Sequence, residues 1–177
     1  MGPLPTTESG QKYILVVGDY FSKWTEAFPL PNQEAKTVAE KLVHEVIARY
    51  GAPEKIHSDQ GRNFEAQLFQ EMCILFNMDK TRTSPYHPES DGMVERMNRT
   101  LQDILAKYVS HHQRDRDEHL PLVMMAYRSS IHASTQYTPF CLLFGHEMRL
   151  PIDVMFGRQP NHQLEVSEYV RDLRDTL

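Results

Sequence analysis

The chain has 177 residues, 40% hydrophobic and 24% charged, with a net charge of −5. This is the composition of a folded chain rather than a disordered one, sized for one ordinary domain and a tail. No apolar run reaches the roughly 18 residues of a membrane span. The acidic balance excludes a nucleic-acid footprint built on bulk positive charge, so any such contact is local or metal-assisted.

Residues 1–11 read as a loop punctuated by Gly2, Pro3, Pro5, Ser9 and Gly10. They carry no basic start and no apolar core, so no secretory leader is expected. Tyr13–Val17 is a short, continuous, β-branched apolar run, which predicts a strand buried on both faces. Trp24 to Leu30 alternates bulky and small residues and predicts a second strand. Pro29 places it at a sheet edge or marks its end. Residues 34–50 carry Val38, Leu42, Val43, Val46, Ile47 and Tyr50 at helical spacing, stopped by Gly51 and Pro53. Lys55–Ser58 predicts a short strand running into Asp59-Gln60-Gly61. Asn63 is placed to cap a helix over about 64–77 whose face is Phe64, Leu68, Met72 and Leu75.

Lys80–Ser84 predicts a brief strand, and residues 84–92 a loop rich in turn formers. A long helix follows over about 93–110, with Val94, Met97, Leu101, Ile104, Leu105 and Tyr108 as its buried stripe. Another is expected over 117–132, with Pro121 in its first turn and Leu120, Met124, Tyr127 and Ile131 facing inward. Residues 138–157 are apolar and broken by Pro and Gly. Residues 158–177 form a charged tail or the start of a helix. This order of elements predicts an α/β domain with helices on both faces of a mixed sheet.

Cys73 and Cys141 form no CxxC pair, and the nine histidines are scattered. Zinc is therefore not expected, and a reduced compartment is. A myristoylation-like start at Met1-Gly2 is spoiled by Pro3. The sequon Asn98-Arg99-Thr100 falls on a predicted helix. Acidic residues at strand ends suit hard divalent cations, and two metals sharing carboxylates can drive phosphoryl transfer. Asp19, Asp59 and Glu95 are the three acids placed for this. Position alone leaves a solvent-facing reading open for each.

The residues around them narrow the choice. His57-Ser58-Asp59-Gln60-Gly61-Arg62-Asn63-Phe64 resembles the second-aspartate motif of retroviral and retrotransposon integrases. Pro85-Tyr86-His87-Pro88-Glu89-Ser90-Asp91-Gly92-Met93-Val94-Glu95-Arg96-Met97-Asn98-Arg99-Thr100-Leu101 resembles their glutamate motif. The 35 residues from 60 to 94 separate Asp59 from Glu95, the interval typical of that family. Lys12 to Trp24, and Thr138-Pro139-Phe140 through Leu150-Pro151-Ile152, resemble the gypsy-type long-terminal-repeat branch. The likeness covers about residues 2–157.

This resemblance implies a ribonuclease-H-like catalytic core whose mixed five-stranded sheet carries three carboxylates for two Mg²⁺ or Mn²⁺ ions. It implies trimming of element DNA ends by water, then attack of the new 3′ hydroxyl on target DNA. Asp59 and Glu95 match two of the three metal ligands. Gly61 permits the turn after Asp59. Asn63 holds the loop or touches DNA, with a plain helix cap as the alternative. Tyr86, His87, Ser90 and Arg99 match positions near bound DNA. Arg99 is placed to meet a phosphate or lies on a solvated helix face. Glu89, where relatives often carry glutamine, adds negative charge near the DNA path. DNA is the implied partner, with a second copy paired through helices 93–110 and 117–132, and the nucleus is the expected site of action.

In the family the first catalytic aspartate lies on a strand just before the Gly-Pro-Leu-Pro segment. Here only Met1 precedes Gly2-Pro3-Leu4-Pro5, so Asp19 is not that ligand. The core, residues 1–157, is expected to be truncated with its first strand largely missing. No strand-transfer activity and weak metal binding are then expected of this polypeptide. Its flanking strands, 12–18 and 55–58, would lose a shared partner. Either a gap partly filled by residues 1–5 or an unstable product is expected. A non-catalytic domesticated derivative, binding nucleic acid or protein, is the alternative. A nuclease of the same fold is a more distant one.

Overall fold

In a computed structural model of the chain, the residues described are 1–82, 91–108, 114–157, 169 and 173, with side chains not described at 91–97, 107 and 108. The elements in order are β1 (Tyr13–Gly18), β2 (Thr25–Leu30), α1 (Ala35–Leu42), a π-helical turn (Val43–Ile47), α2 (Ala48–Tyr50), β3 (Lys55–Ser58), α3 (Arg62–Glu65), α4 (Gln67–Leu75), β4 (Asp79–Arg82), α5 (Asp91–Tyr108), α6 (Arg116–Arg128), α7 (Pro139–Phe144) and α8 (Pro151–Phe156). They form two compact units. One comprises Met1–Val16 and Ala27–Leu120, the other Val17–Glu26 and the residues from Pro121 onward.

β1 and β2 form an antiparallel hairpin. In the first unit Lys12 N donates to Leu30 O at 3.0 Å, and in the second Asp19 N donates to Trp24 O at 2.8 Å. Consecutive Ile14 and Leu15 are both buried, as a strand covered on both faces requires. Pro29 sits inside β2, whose only strand partner among the described residues is β1, so the edge position holds. β3 and β4 pair in parallel, Lys55 with Asp79 through Ser58 with Arg82. The two pairs are separate sheets, not one mixed sheet, among the described residues. On β1's free edge Met1 N donates to Ile14 O at 2.8 Å, and Ile14 N donates to Met1 O at 3.0 Å. Leu4 N continues the row to Lys12 O at 2.8 Å. The segment 1–5 thus lies along β1.

Residues 35–50 are helical throughout, but not uniformly α. Val38, Ala39, Leu42 and Ile47 are buried. The step from Leu42 to Ile47 is one residue too long for an α-helical stripe, and the π-helical turn absorbs the extra residue. Gly51, at φ 84°, ends the helix in the left-handed region as expected.

The single helix expected over 64–77 is two helices. Gly61 is the N-cap of α3, so Asn63 lies inside that helix and is not its cap. Ala66 is extended at ψ 144° and breaks the run before α4. The break resets the helical phase. Phe69, Met72 and Cys73 are buried, whereas Leu68 and Leu75 are 46% and 80% exposed. α4 packs on α1 and α3 through this shifted face.

α5 begins at Asp91, two residues before the expected start, which moves Glu95 from the first turn to the second. Leu101 and Leu105 are buried as expected. Val94, Met97, Tyr108 and residues 109–110 lie outside the described side chains or residues. α6 begins at Arg116, so Pro121 is interior rather than in the first turn. Leu120, Val123 and Met124 are buried, while Ile131 follows the helix and is exposed.

In the second unit Thr138 Oγ1 caps α7 by accepting from Cys141 N at 3.0 Å, and Gly145, at φ 75°, closes it. Phe144 meets Trp24 edge-on at 5.4 Å, and Phe140 lies 4.6 Å from Phe144. No helix among the described residues is long and apolar enough to cross a membrane.

Candidate functional site

Asp59 leaves β3 at the strand's end and is exposed. Its Oδ1 accepts from Gly61 N at 2.9 Å, and Ser58 Oγ donates to the Asp59 carbonyl at 3.0 Å. Oδ2 has no hydrogen-bond partner among the described residues. Gly61 has φ −58°, a conformation open to any residue. Its role is therefore room rather than backbone freedom. A Cβ there would lie 2.8 Å from Asp59 Oδ1, 2.9 Å from Asn63 Oδ1 and 3.3 Å from Phe64.

The loop is held by its flanks. Phe64 meets Phe69 edge-on at 5.3 Å, seating α3 on α4. Glu65 pairs with Lys80 Nζ at 2.5 Å and faces Arg82 at 3.8 Å, tying α3 to β4. The Lys80 hydrogen bond, against some desolvation, holds the Glu65 carboxyl below the ordinary glutamate value, with the Lys80 and Arg82 charges adding to it. His57 Nδ1 lies 3.0 Å from Thr81 Oγ1, its register partner on β4. Met1's ammonium is pushed below its ordinary pKa by burial, while the Asp59 charge acts the other way.

Of the other residues singled out by sequence, Arg99 is exposed on α5, one turn after Glu95. Asn63 is half-buried beside Gly61. The side chain of Glu95 lies outside the described residues, as do Tyr86, His87, Ser90 and Glu89. Asp19 belongs to the second unit. Its Oδ2 accepts from Ser22 N at 2.7 Å and from Ser22 Oγ at 2.5 Å, closing the hairpin turn. Asn98 was not singled out. It is half-buried, and its Oδ1 is shut away from solvent without a hydrogen-bond partner among the described residues. A polar residue in the row 98, 101, 105 of an otherwise apolar stripe is the signal that sequence offered.

Among the described residues no three His, Cys, Asp or Glu side chains gather as a metal site. What is described fits an oxygen-ligated cation. Asp59 offers a solvent-open hard oxygen, and Gly61 keeps a side chain from crowding it. Carboxylate oxygens suit Mg²⁺ or Mn²⁺ better than zinc.

The family model described as integrase core domain matches residues 2–88. The Gag-Pol polyprotein of Avian reticuloendotheliosis virus is 35% identical over 155 residues, covering 88% of this chain and 12% of that protein. The Gag-Pol polyprotein of Feline leukemia virus is 39% identical over 137 residues, covering 77% and 8%. The Pol polyprotein of Radiation murine leukemia virus (strain Kaplan) is 38% identical over 137 residues, covering 77% and 23%. The chain thus spans less than a quarter of each of these relatives. The fold is similar to a chain of the simian T-cell lymphotropic virus intasome solved in complex with PP2A regulatory subunit B56 gamma, with TM-score 0.64 and 28% identity over 78% of this chain and 49% of that one. It is also similar to the catalytic core domain of BIV integrase, with TM-score 0.60 and 32% identity over 72% and 82%.

Proposed function

The chain belongs to the retroviral-type integrase core family, with a ribonuclease-H-like fold, and from that premise we propose that it handles DNA ends at Asp59 and Glu95. Membership implies DNA integration. The finer reading is 3′-end processing followed by strand transfer, in an element of the gypsy type. Residues 1–157 form the core in this reading. DNA, as both element ends and target, is the proposed partner, and a second copy is expected to pair through α5 and α6. The nucleus follows from the reaction.

The observation that carries the proposal is the Asp59 loop. The carboxylate stands at a strand end, open to solvent, with one oxygen fixed by Gly61 N and the other unengaged among the described residues. Asp59 and Glu95 would hold Mg²⁺ or Mn²⁺. A cation bound there supplies charge neutralisation at the phosphodiester and acidifies the attacking oxygen. The chain's own part is positional. Glu65, Lys80 and the β3–β4 ladder fix the loop, and Arg99, exposed one turn after Glu95, is proposed to meet a phosphate oxygen. Residues 1–177 taken by themselves match two of the three family carboxylates, so joining is proposed to need a third acid supplied from elsewhere.

The test uses the purified 177-residue polypeptide. Mn²⁺ binding is expected to fall sharply in Asp59→Asn and in Glu95→Gln. No strand transfer of a labelled oligonucleotide duplex is expected. Mn²⁺ binding indifferent to Asp59→Asn would sink the metal reading. Robust joining that Asp59→Asn abolishes would sink the need for a third acid.

A further inference from the structure

The β1–β2 hairpin carries a ring at its tip that its own turn does not use. Polar groups close the turn. Asp19 Oδ2 accepts from Ser22 N at 2.7 Å and from Ser22 Oγ at 2.5 Å, and Lys23 N donates to Asp19 O at 3.1 Å. Phe21 stands on this braced tip, 60% exposed. A single exposed ring is ordinary on a protein surface. Phe21 differs because a residue from the far end of the chain is seated on it.

That residue is Tyr169. Its ring meets Phe21 edge-on, with 4.9 Å between centres and 76° between planes. This is an arrangement in which ring quadrupoles attract. The same side chain reaches a second element, where Tyr169 Oη donates to Leu142 O at 3.4 Å. The last carbonyls of a helix lack donors within it. In α7 Gly145 N serves Cys141 O, and the tyrosine hydroxyl serves Leu142 O. Tyr169 thus bridges the hairpin tip and the end of α7, two elements that also touch through Trp24 and Phe144. Leu173 is helical like Tyr169 and half-buried. Residues four apart on a helix share one face. In the sequence Val166 and Val170 stand three positions before Tyr169 and Leu173, which extends the apolar spacing.

We propose that the β1–β2 tip and the end of α7 form a seat for the chain's own C-terminal segment, with Tyr169 as its latch. Phe21 supplies the ring contact and Leu142 the acceptor, so the seat takes a tyrosine better than any other side chain. The ring found on the seat belongs to this chain, which makes the segment after residue 164 the occupant. The latch closes whether or not Asp59 binds a cation.

Hydrogen exchange of the whole 177-residue chain tests it. Amides after residue 164 are expected to exchange more slowly than in an isolated peptide of the same sequence. Phe21→Ala is expected to speed them by about two- to tenfold, the range of one edge-on aromatic pair. Tyr169→Ala is expected to speed exchange at Ser22 and Lys23, across the contact. The double variant should exchange no faster than the faster single one, because both act through one contact. Tyr169→Phe keeps the ring and loses the hydroxyl, so its effect should be smaller, and it serves as the probe should an alanine variant unfold. Free-peptide exchange of the segment in the parent would overturn the proposal, as would parent-like exchange in Phe21→Ala. Single effects that add in the double variant would overturn it too. Protection that rises with protein concentration would give the seat to a second copy and likewise end the proposal.

Discussion

Gly61 and Asp59 approach so closely that a Cβ on the glycine would stand 2.8 Å from the aspartate's Oδ1. The same Oδ1 takes the Gly61 N–H at 2.9 Å, so the loop is closed by one bond and one shared space. Gly61→Ala is therefore expected to turn the Asp59 carboxylate out of place. The atoms that must give way are the ends of the Asp59 and Asn63 side chains, so stability should change by less than about 1 kcal/mol. Mn²⁺ affinity should fall nonetheless, as read by urea denaturation and metal titration of the same sample. An alanine variant with parent-like metal binding would contradict the geometry.

Arg128 concerns stability alone. Its Nε donates to Thr25 O at 2.9 Å, its guanidinium lies 4.2 Å from the centre of the Trp24 ring, and it pairs with Glu26, itself 8% exposed. Trp24 Nε1 donates to the other Glu26 oxygen at 3.2 Å. Arg128→Ala strands that carboxylate and is expected to cost about 3–5 kcal/mol by urea denaturation. The double variant Glu26→Gln, Arg128→Met should recover a large part of the loss. A loss no smaller in the double variant would show that packing, not charge, dominates.

Glu65 predicts an acid limb. Its folded-state pKa lies below the ordinary value, chiefly through the Lys80 hydrogen bond. A depressed carboxyl contributes stability above its unfolded pKa and loses it as pH falls through the folded pKa. Glu65→Gln should therefore be less stable than the parent at neutral pH, and the gap should close as pH falls from the ordinary glutamate range through the lower folded-state pKa. Parallel stability curves across that range would remove Glu65 as a source of acid sensitivity.

Arg116 clasps the loop before β1. It is 3% exposed, and its guanidinium donates to Pro5 O at 3.2 Å and Gln11 O at 3.3 Å. Burial holds its pKa below the ordinary arginine value, against the pull of Asp117. The neighbouring Asp117 takes the Thr7 hydroxyl at 3.1 Å and that of Ser9. Arg116→Met is expected to speed amide exchange at Leu4 and Thr7 by about tenfold, since hydrogen bonds to a charged group contribute about 1.5–3 kcal/mol. Protection unchanged at those amides would show that the β1 edge alone holds the segment.

Much of the local structure was legible. The β-branched run at Tyr13–Val17, the alternation from Trp24 to Leu30 and the stop at Gly51 each rest on a preference that a few neighbours express. The helix over 64–77 was not, because nothing in Glu65-Ala66-Gln67 announces an extended residue. One extended ψ rotates everything after it, so Phe69 and Cys73 went inside in place of Leu68 and Leu75. Pro121 misled for a related reason. A proline suits a helix's first turn, but α6 had already begun at Arg116, anchored by contacts to residues 5 and 11 that lie far away in sequence.

The order of residues by itself determined the family and singled out the two acids on which the proposed chemistry rests, because a motif and its interval are properties of the chain read end to end. Three-dimensional packing decided why Gly61 is a glycine, what occupies Asp19, and that Asn98 Oδ1 has no hydrogen-bond partner among the described residues. Each of those depends on which atoms come within a few ångströms of one another. Such distances are set by the whole fold and are written in no single stretch of sequence.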